Sequence, residues 1–307
     1  MKKYLKILTI SSLLLFEMQI FGQGIESVDD SDCYTCMRLN NQEYCTCNQT
    51  IVTIMTYNIF KRQYANNGNI IFKTNPDVCA VQEIISEFNF NILKKNAKME
   101  GKFLSTKYKQ WTWRYGIGLL WKSSTVGDPI NIVTGKVSNM DCDFDGSRGY
   151  IIAEFKDFIV VSTHYPTSGC ENYRDNDAEK FKLTNKLLRE SIIQNTDKPV
   201  FIAGDINFSP HSKNLMKPFA DAGFEILNDT TRTYDSNKAP DYVATSKRSA
   251  PWYMHATKKS GSMIDFILGN QKSSTYRIIH RRIPLDADKT FKKSDHLPYE
   301  VRVAIKK

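Results

Sequence analysis

The sequence predicts an α/β domain in which two packed sheets are flanked by helices. Three observations support this fold class. Short runs of β-branched and aromatic residues recur from residue 51 onward, helical patterns are few, and two predicted strands form a hairpin in the middle of the chain. The 307 residues contain no internal repeat and no low-complexity linker. We therefore expect one domain over 51–307, preceded by a signal peptide over 1–23 and a cysteine-rich extension over 24–50.

The predicted strands are short, and turn residues separate them. They cover 51–57, 78–82, 116–121, 150–155, 158–163, 200–203, 263–268 and 298–305. Helices are predicted over 87–99, 177–193 and 214–222. The helix over 177–193 is the clearest, because Phe181, Thr184 and Leu188 share one face. Asn176 and Glu179 are spaced as a capping box at its start.

The first residues have the pattern of a secretory signal peptide. Lys2 and Lys3 precede an apolar run over 7–16, which is too short to span a bilayer. A membrane anchor is the weaker alternative, and we place the mature start loosely near Gln23. A secreted protein without a transmembrane anchor is therefore expected, acting as a monomer.

Positive charge is concentrated in one part of the chain. The formal net charge is +9, and residues 247–293 contain eleven Lys or Arg and three Asp, which gives this window alone +8. Such an excess favours a polyanion or an anionic surface as partner. Scattered solvated lysines are the alternative.

Four of the seven cysteines lie in the N-terminal extension. Cys33 and Cys36 are followed by Cys45 and Cys47, a spacing that favours two local disulfides in an exported chain. A four-thiolate zinc site is the alternative interpretation.

The other cysteines fall within the predicted domain. A hairpin centred near residues 156–157 would place Cys142 opposite Cys170, so we expect these two to form a disulfide. Cys79 lies in an apolar run and is interpreted as a small buried hydrophobic residue.

Polar residues recur at or next to the predicted strand ends. They are Asn58, Glu83, His164, Asp205, Asn207, Asp265, Asp295 and His296. Asp205 and Asn207 are two residues apart, so on an extended chain both would lie on one side. A domain has little structural reason to bury so much charge, which indicates a functional site. Carboxylate and amide oxygens suit Mg²⁺, Mn²⁺ or Ca²⁺ better than zinc, and such an ion with paired His and Asp fits phosphoester hydrolysis.

Six short motifs together resemble the endonuclease/exonuclease/phosphatase superfamily, which includes pancreatic-type deoxyribonucleases and bacterial sphingomyelinases. The motifs are Met55-Thr-Tyr-Asn-Ile59, Gln82-Glu83, Ser162-Thr-His164, Gly204-Asp-Ile-Asn207, Ile264-Asp-Phe266 and Ser294-Asp-His-Leu-Pro298. The resemblance covers nearly the whole mature chain and implies a four-layered α/β sandwich of two packed, mainly antiparallel sheets. It also implies a divalent-metal-dependent phosphoric ester hydrolase, with 51–307 as its catalytic domain.

The resemblance assigns the metal and the substrate to particular residues. Glu83 would bind the divalent ion, with Asn58 close to it and Asp295 as a second carboxylate. Asp205 and Asn207 would hold the attacking water and the scissile phosphate.

The same resemblance implies an acid–base pair. Asp265 would orient His296 as general base or as stabiliser of the phosphorane, and His164 would be the general acid on the opposite side. Arg148 resembles an arginine that contacts phosphate in the deoxyribonuclease branch; a plain surface arginine is the alternative.

Nucleic acid is the preferred substrate class. Arg148, the basic window over 247–293 and the aromatic pair Trp252 and Tyr253 favour it. A phospholipid substrate, as in sphingomyelinases, is the alternative, because the expected Cys142 disulfide resembles one in those enzymes. Residues 269–294, however, lack an aromatic membrane-binding hairpin. A soluble organic phosphate is a third substrate class, and a non-catalytic binder of anionic surfaces is the alternative of another kind.

Overall fold

The computed structural model describes most of the residues from 49 onward and the backbone of a short hairpin before them. The described residues are 34–39, 42–47, 49–59, 63–106, 116–137, 148–166, 176–209, 212–228, 264–270, 276–284, 296 and 298–306. The chain divides into two compact units, residues 1–48 and 49–307. Within the described segments, no helix is both long and apolar enough to cross a membrane.

In the first unit, two strands form an antiparallel hairpin. Strand β1 is Tyr34–Leu39 and strand β2 is Gln42–Cys47. Their register places Cys36 directly opposite Cys45, and Tyr34 opposite Cys47. Cys33 lies outside the described residues, so the expected pairing of the four cysteines remains a prediction.

The second unit contains two six-stranded sheets. Sheet I has the order β13-β14-β3-β4-β6-β5, and sheet II has the order β11-β12-β10-β9-β8-β7. The strands are β3 Gln49–Asn58, β4 Val78–Ile84, β5 Glu100–Ser105, β6 Gly116–Trp121, β7 Asn131–Val137, β8 Arg148–Glu154, β9 Ile159–His164, β10 Val200–Asp205, β11 Phe224–Ile226, β12 Asp265–Asn270, β13 Tyr276–Arg282 and β14 Tyr299–Lys306. Each sheet has one parallel pair, β3 with β4 and β9 with β10, and its other pairs are antiparallel.

Helices cover the outer faces of both sheets. They are α1 Tyr64–Thr74, α2 Glu87–Ala97, α3 Ser123–Val126, α4 Asn176–Leu188, α5 Ser191–Gln194 and α6 Lys213–Asp221. One apolar core lies between the sheets, a second between sheet II and helices α4 and α6, and a third between sheet I and helices α1 and α2. Three cores separate four layers, so the predicted α/β sandwich of mainly antiparallel sheets is confirmed.

The predicted helix over 177–193 is two helices rather than one. Helix α4 ends at Leu188, and Glu190 has extended backbone angles (φ −62°, ψ 129°) before α5 begins. The hydroxyl of Tyr150 on β8 donates a hydrogen bond to the Glu190 carboxylate. This contact ties the break to sheet II, and local apolar periodicity does not reveal it.

Candidate active site

Three site residues lie side by side in sheet II because of its strand register. Asp205, the last residue of β10, is opposite His164 at the end of β9 and opposite Asp265 at the start of β12. Strands β9 and β10 are parallel, so their carboxyl ends meet at one edge, and antiparallel β12 begins there. All three side chains are buried.

Sheet I contributes the residues that face them. Asn58 is the last residue of β3, and its Nδ2 donates to Asp205 Oδ2 at 2.9 Å and to Glu83 Oε1 at 3.3 Å. Because β3 and β4 belong to sheet I and β10 to sheet II, this amide joins carboxylates from both sheets. The predicted residues therefore meet where the two sheets come together.

His296 completes the group just before β14. Its Nδ1 lies 3.0 and 3.2 Å from the two carboxylate oxygens of Asp265. A carboxylate only accepts, so Nδ1 carries the proton of this hydrogen bond. The other ring nitrogen, Nε2, lies 3.8 Å from Asp205 Oδ2. The pair resembles a base oriented by a buried acid.

His164 approaches the same carboxylate from another side. Its Nε2 lies 3.6 Å from Asp205 Oδ2, and the ring is almost fully buried. Two imidazoles thus converge on one oxygen of Asp205. Two imidazoles in this arrangement can serve a displacement reaction. One imidazole can take a proton from the nucleophile, and the other can form a hydrogen bond with the group that is attacked.

Arg148, the predicted phosphate contact, lies against His164. Its Nη1 is 2.8 Å from His164 Nδ1, and the residue is 3% exposed. The alternative of a plain surface arginine is therefore wrong. A contact with phosphate stays a prediction.

Asn207 reaches the site through a turn. Strand β10 ends at Asp205, and Asn207 has φ 53°, in the left-handed region. Its backbone N–H donates to Asp205 Oδ1 at 3.0 Å, and its side-chain amide donates to the Tyr165 carbonyl at 2.8 Å. The expectation of an extended chain over Asp205 and Asn207 was wrong, because β10 ends at Asp205 and the chain turns at Asn207.

Glu83 also has left-handed backbone geometry. Its φ is 61°, and the pairing of β4 with β6 is irregular between Val81 and Ile84. An irregularity of this kind re-aims a side chain out of the ordinary alternation. It accompanies the approach of Glu83 to Asn58.

The donor set fits a hard divalent cation. The amide of Asn58 links the carboxylates of Glu83 and Asp205, and oxygen ligands of this kind suit Mg²⁺, Mn²⁺ or Ca²⁺. Asp205, Asp265 and His296 each offer one ligand atom, and these atoms lie within 4.8 Å of one another. Since Asp265 and His296 are hydrogen-bonded to each other, Glu83 and Asn58 are the better candidates to hold the ion.

Some predicted residues cannot be placed, and one supporting residue was missed. Asp295, Cys142 and Cys170 lie outside the described residues. Asn228 is not among the predicted site residues, yet it is buried. Its amide donates to the Asp265 carbonyl at 3.0 Å, and its Oδ1 accepts from the Ile267 N–H at 2.8 Å. These bonds fix the start of β12 and with it Asp265.

The four-layered sandwich and the buried His, Asp and Asn side chains agree with the fold and the residue types that the sequence resemblance implies. Comparison with family models agrees: the model of the Endonuclease/Exonuclease/phosphatase family matches residues 55–296. The chain belongs to this family. Its members are metal-dependent phosphoric ester hydrolases, and this protein is one of them.

Solved structures with low identity share the fold. An endonuclease/exonuclease/phosphatase from Bacteroides vulgatus is 16% identical with a TM-score of 0.63, over 83% of this chain and 99% of that one. The mannosyl-6-phosphatase of Bacteroides thetaiotaomicron is 14% identical with a TM-score of 0.55, over 82% and 99%. ANGEL2, a 2',3'-cyclic phosphatase, is 11% identical with a TM-score of 0.61, over 91% and 100%. A comparison with curated proteins finds no significant match.

Proposed function

We propose that this protein is a secreted, divalent-metal-dependent phosphodiesterase that acts as an endonuclease on nucleic acid. The supporting observation is the approach of two buried imidazoles, His164 and His296, to one oxygen of Asp205 at 3.6 and 3.8 Å. Two groups facing one point from different sides suit attack of water on a phosphodiester and departure of the opposite oxygen.

The chain's own residues divide the work. His296 accepts the proton of the attacking water at Nε2, while Asp265 holds the opposite edge of its ring and stabilises the imidazolium that forms. Asp205 and Asn207 position the water and the phosphate, joined by the hydrogen bond from the Asn207 N–H to Asp205. Because these groups are set by register and buried contacts, they are arranged before the substrate binds.

Glu83 and Asn58 would hold Mg²⁺, with Mn²⁺ or Ca²⁺ as substitutes, and Asp295 is the further ligand that the sequence suggests. The ion, when bound, would neutralise charge on the phosphoryl oxygens. The preference for these hard cations over zinc follows from the oxygen donors, since the described part of the site presents no thiolate to a metal.

A basic edge of sheet I supports nucleic acid as substrate. Arg277, Arg281 and Arg282 on edge strand β13 are exposed, as is Arg302 on β14. Arg282 pairs in register with Glu300, close to the start of β14 and thus to the His296 end of the sheet. Glu300 is buried and accepts a hydrogen bond from Arg282 Nε. The remaining positive charge suits a chain of phosphates extending beyond the cleft.

Secretion is proposed from the signal peptide expected over residues 1–23, and the protein is proposed to act as a monomer. The disulfides expected in the extension and between Cys142 and Cys170 are consistent with an oxidising compartment.

Parallel assays test the substrate class. The purified mature protein is incubated with plasmid DNA, RNA, sphingomyelin vesicles, a 2',3'-cyclic nucleotide and a mannose 6-phosphate ester, each with Mg²⁺ and with chelator. We expect chelator-sensitive nicking of plasmid DNA that is absent from His296→Ala. Cleavage of vesicles or of a small phosphate ester without cleavage of nucleic acid would overturn the endonuclease proposal. If the wild-type protein hydrolyses none of these substrates, the alternative of a non-catalytic protein that binds anionic surfaces is favoured.

A further inference from the structure

The two imidazoles of the site have partners of opposite charge. Behind His296 lies the carboxylate of Asp265, 3.0 Å from Nδ1. Behind His164 lies the guanidinium of Arg148, whose Nη1 is 2.8 Å from Nδ1. Both of these supporting residues are buried. Adjacent strands fix the second contact, since Gly149 on β8 is the register partner of His164 on β9.

The partner determines which ring nitrogen carries the proton. A guanidinium has only N–H donors and remains protonated in proteins, so His164 Nδ1 must accept the hydrogen bond from Arg148. The proton of the neutral ring is then on Nε2, the nitrogen that faces Asp205 at 3.6 Å. At His296 the Asp265 carboxylate accepts a hydrogen bond from Nδ1–H, so in the neutral ring Nε2 has the lone pair. Near Asp205 Oδ2, His164 therefore offers a hydrogen-bond donor and His296 offers an acceptor.

We propose that Arg148 is a positioning residue that holds His164 as the neutral Nε2–H tautomer, and that His164 is a hydrogen-bond donor to a phosphoryl oxygen. This inference rests on the proposed function and replaces the general-acid role that the resemblance implies. A neutral imidazole gives up its remaining proton far less readily than an imidazolium. In the step, water attacks phosphorus, His296 takes the water proton, the P–O ester bond breaks, and the leaving oxygen takes its proton from solvent.

Nitrogen NMR tests the tautomer without any substrate. The full mature chain is labelled with ¹⁵N at histidine, and the signals of His164 are identified by their absence from His164→Ala; the chain has five histidines. In the wild type at mildly alkaline pH we expect a protonated Nε2 and an unprotonated Nδ1. In the Arg148→Met variant the Nδ1–H tautomer of His164 should become populated. In the Arg148→Lys variant, which keeps a cationic donor, part of the wild-type Nε2–H population should remain. A protonated Nδ1 in the wild type would overturn the proposal.

Leaving-group dependence tests the role. Removing a group that protonates the leaving oxygen lowers kcat strongly for a poor alkoxide leaving group and hardly at all for p-nitrophenolate. Removing a hydrogen-bond donor to a phosphoryl oxygen lowers kcat for both leaving groups. We expect His164→Ala to lower kcat by similar factors on bis-p-nitrophenyl phosphate and on a dinucleotide. Arg148→Met should lower kcat about 10- to 100-fold, the range of one hydrogen bond to a charged group, with little change in KM. A kcat loss confined to the dinucleotide would refute the donor role.

Controls separate the possible failures. Arg189 is exposed and directly follows helix α4. As a matched control, Arg189→Met should leave both the NMR spectrum and the hydrolysis rates unchanged. Thermal unfolding of each variant shows whether the fold is kept. If the spectrum shows the Nε2–H tautomer but no phosphodiester is cleaved, the proposed function fails while the assignment of the tautomer to Arg148 stands. If cleavage occurs but the tautomer differs, this inference alone fails.

Discussion

Replacing Asp265 with Asn should disable the proposed base without disturbing the fold. Asp265 is fully buried, and its two oxygens lie 3.0 and 3.2 Å from His296 Nδ1. Asn has the same shape, and its Oδ1 can still accept from Nδ1. The Asn228 side chain holds the backbone of residue 265, which the substitution does not change. We therefore expect a thermal midpoint close to that of the wild type.

The catalytic cost follows from the lost negative charge. When His296 takes a proton, the carboxylate of Asp265 faces the new imidazolium at hydrogen-bond distance. Opposite charges about 4 Å apart interact by about 4 kcal/mol at an effective dielectric constant near 20. Each ~1.4 kcal/mol is a factor of ten in rate, so Asp265→Asn should lower kcat by about a thousandfold. This lies within the range of about 10² to 10⁴ expected for general acid–base catalysis.

A double-mutant cycle isolates this effect from general damage to the site. Steady-state hydrolysis of bis-p-nitrophenyl phosphate is measured for Asp265→Asn, for His296→Ala and for both together. Because Asp265 acts through His296, the Asn substitution should cost little once the imidazole is gone. An Asp265→Asn variant that keeps a third of the wild-type kcat, or costs that add fully in the double variant, would refute the proposed pairing.

Three further predictions concern other parts of the chain. Arg277→Glu combined with Arg281→Glu should raise KM for plasmid DNA and flatten its dependence on log salt concentration by about two units, with bis-p-nitrophenyl phosphate as an unaffected control substrate. Burial raises the pKa of the Cys79 thiol, so less of it is thiolate at any given pH; a mass-detected alkylating agent should therefore label it only after unfolding, and labelling of the native protein would contradict this. The register partners Cys36 and Cys45 should yield a disulfide-linked peptide in a non-reducing digest of secreted protein; a digest in which Cys36 is linked to another cysteine would refute this pairing.

The sequence predicts the central strands well but not the edges of the fold. The strand predicted over 116–121 is β6 without any shift, because its apolar residues are buried on both faces. Strand β13 was missed, since exposed arginines interrupt its apolar pattern at the edge of sheet I. Helix α1 was missed because it contains Asn and Gly residues with low helix propensity. Tertiary contacts stabilise it instead, including the hydrogen bond from Tyr57 Oη to Asn67 Oδ1 at 2.9 Å.

The candidate site shows a similar division. Residue types at strand ends indicated which side chains to consider, because the buried strands are easy to recognise. Their partners depend on contacts between distant segments, and local patterns carry no signal for these. The amide of Asn58 reaches Asp205 in the other sheet, 147 positions away. The pairing of β8 with β9 follows from the hairpin predicted near residues 156–157, but the hydrogen bond between Arg148 and His164 becomes apparent only in the folded chain.

Backbone strain offers an independent indication that these residues serve a function. In the described part of the chain, the non-glycine residues with positive φ are Gln63, Asn75, Glu83, Lys98 and Asn207. Asn75 and Lys98 follow the C-termini of helices α1 and α2, where such a conformation is ordinary, and Gln63 precedes the N-terminus of α1. The other two are both site residues. Asn tolerates this conformation, but for Glu83 it is an unfavourable choice that costs about 1–3 kcal/mol. Gly would be less strained than Glu at this irregularity of β4, so the presence of a carboxylate that contacts Asn58 supports the proposed role of Glu83 in holding a metal ion.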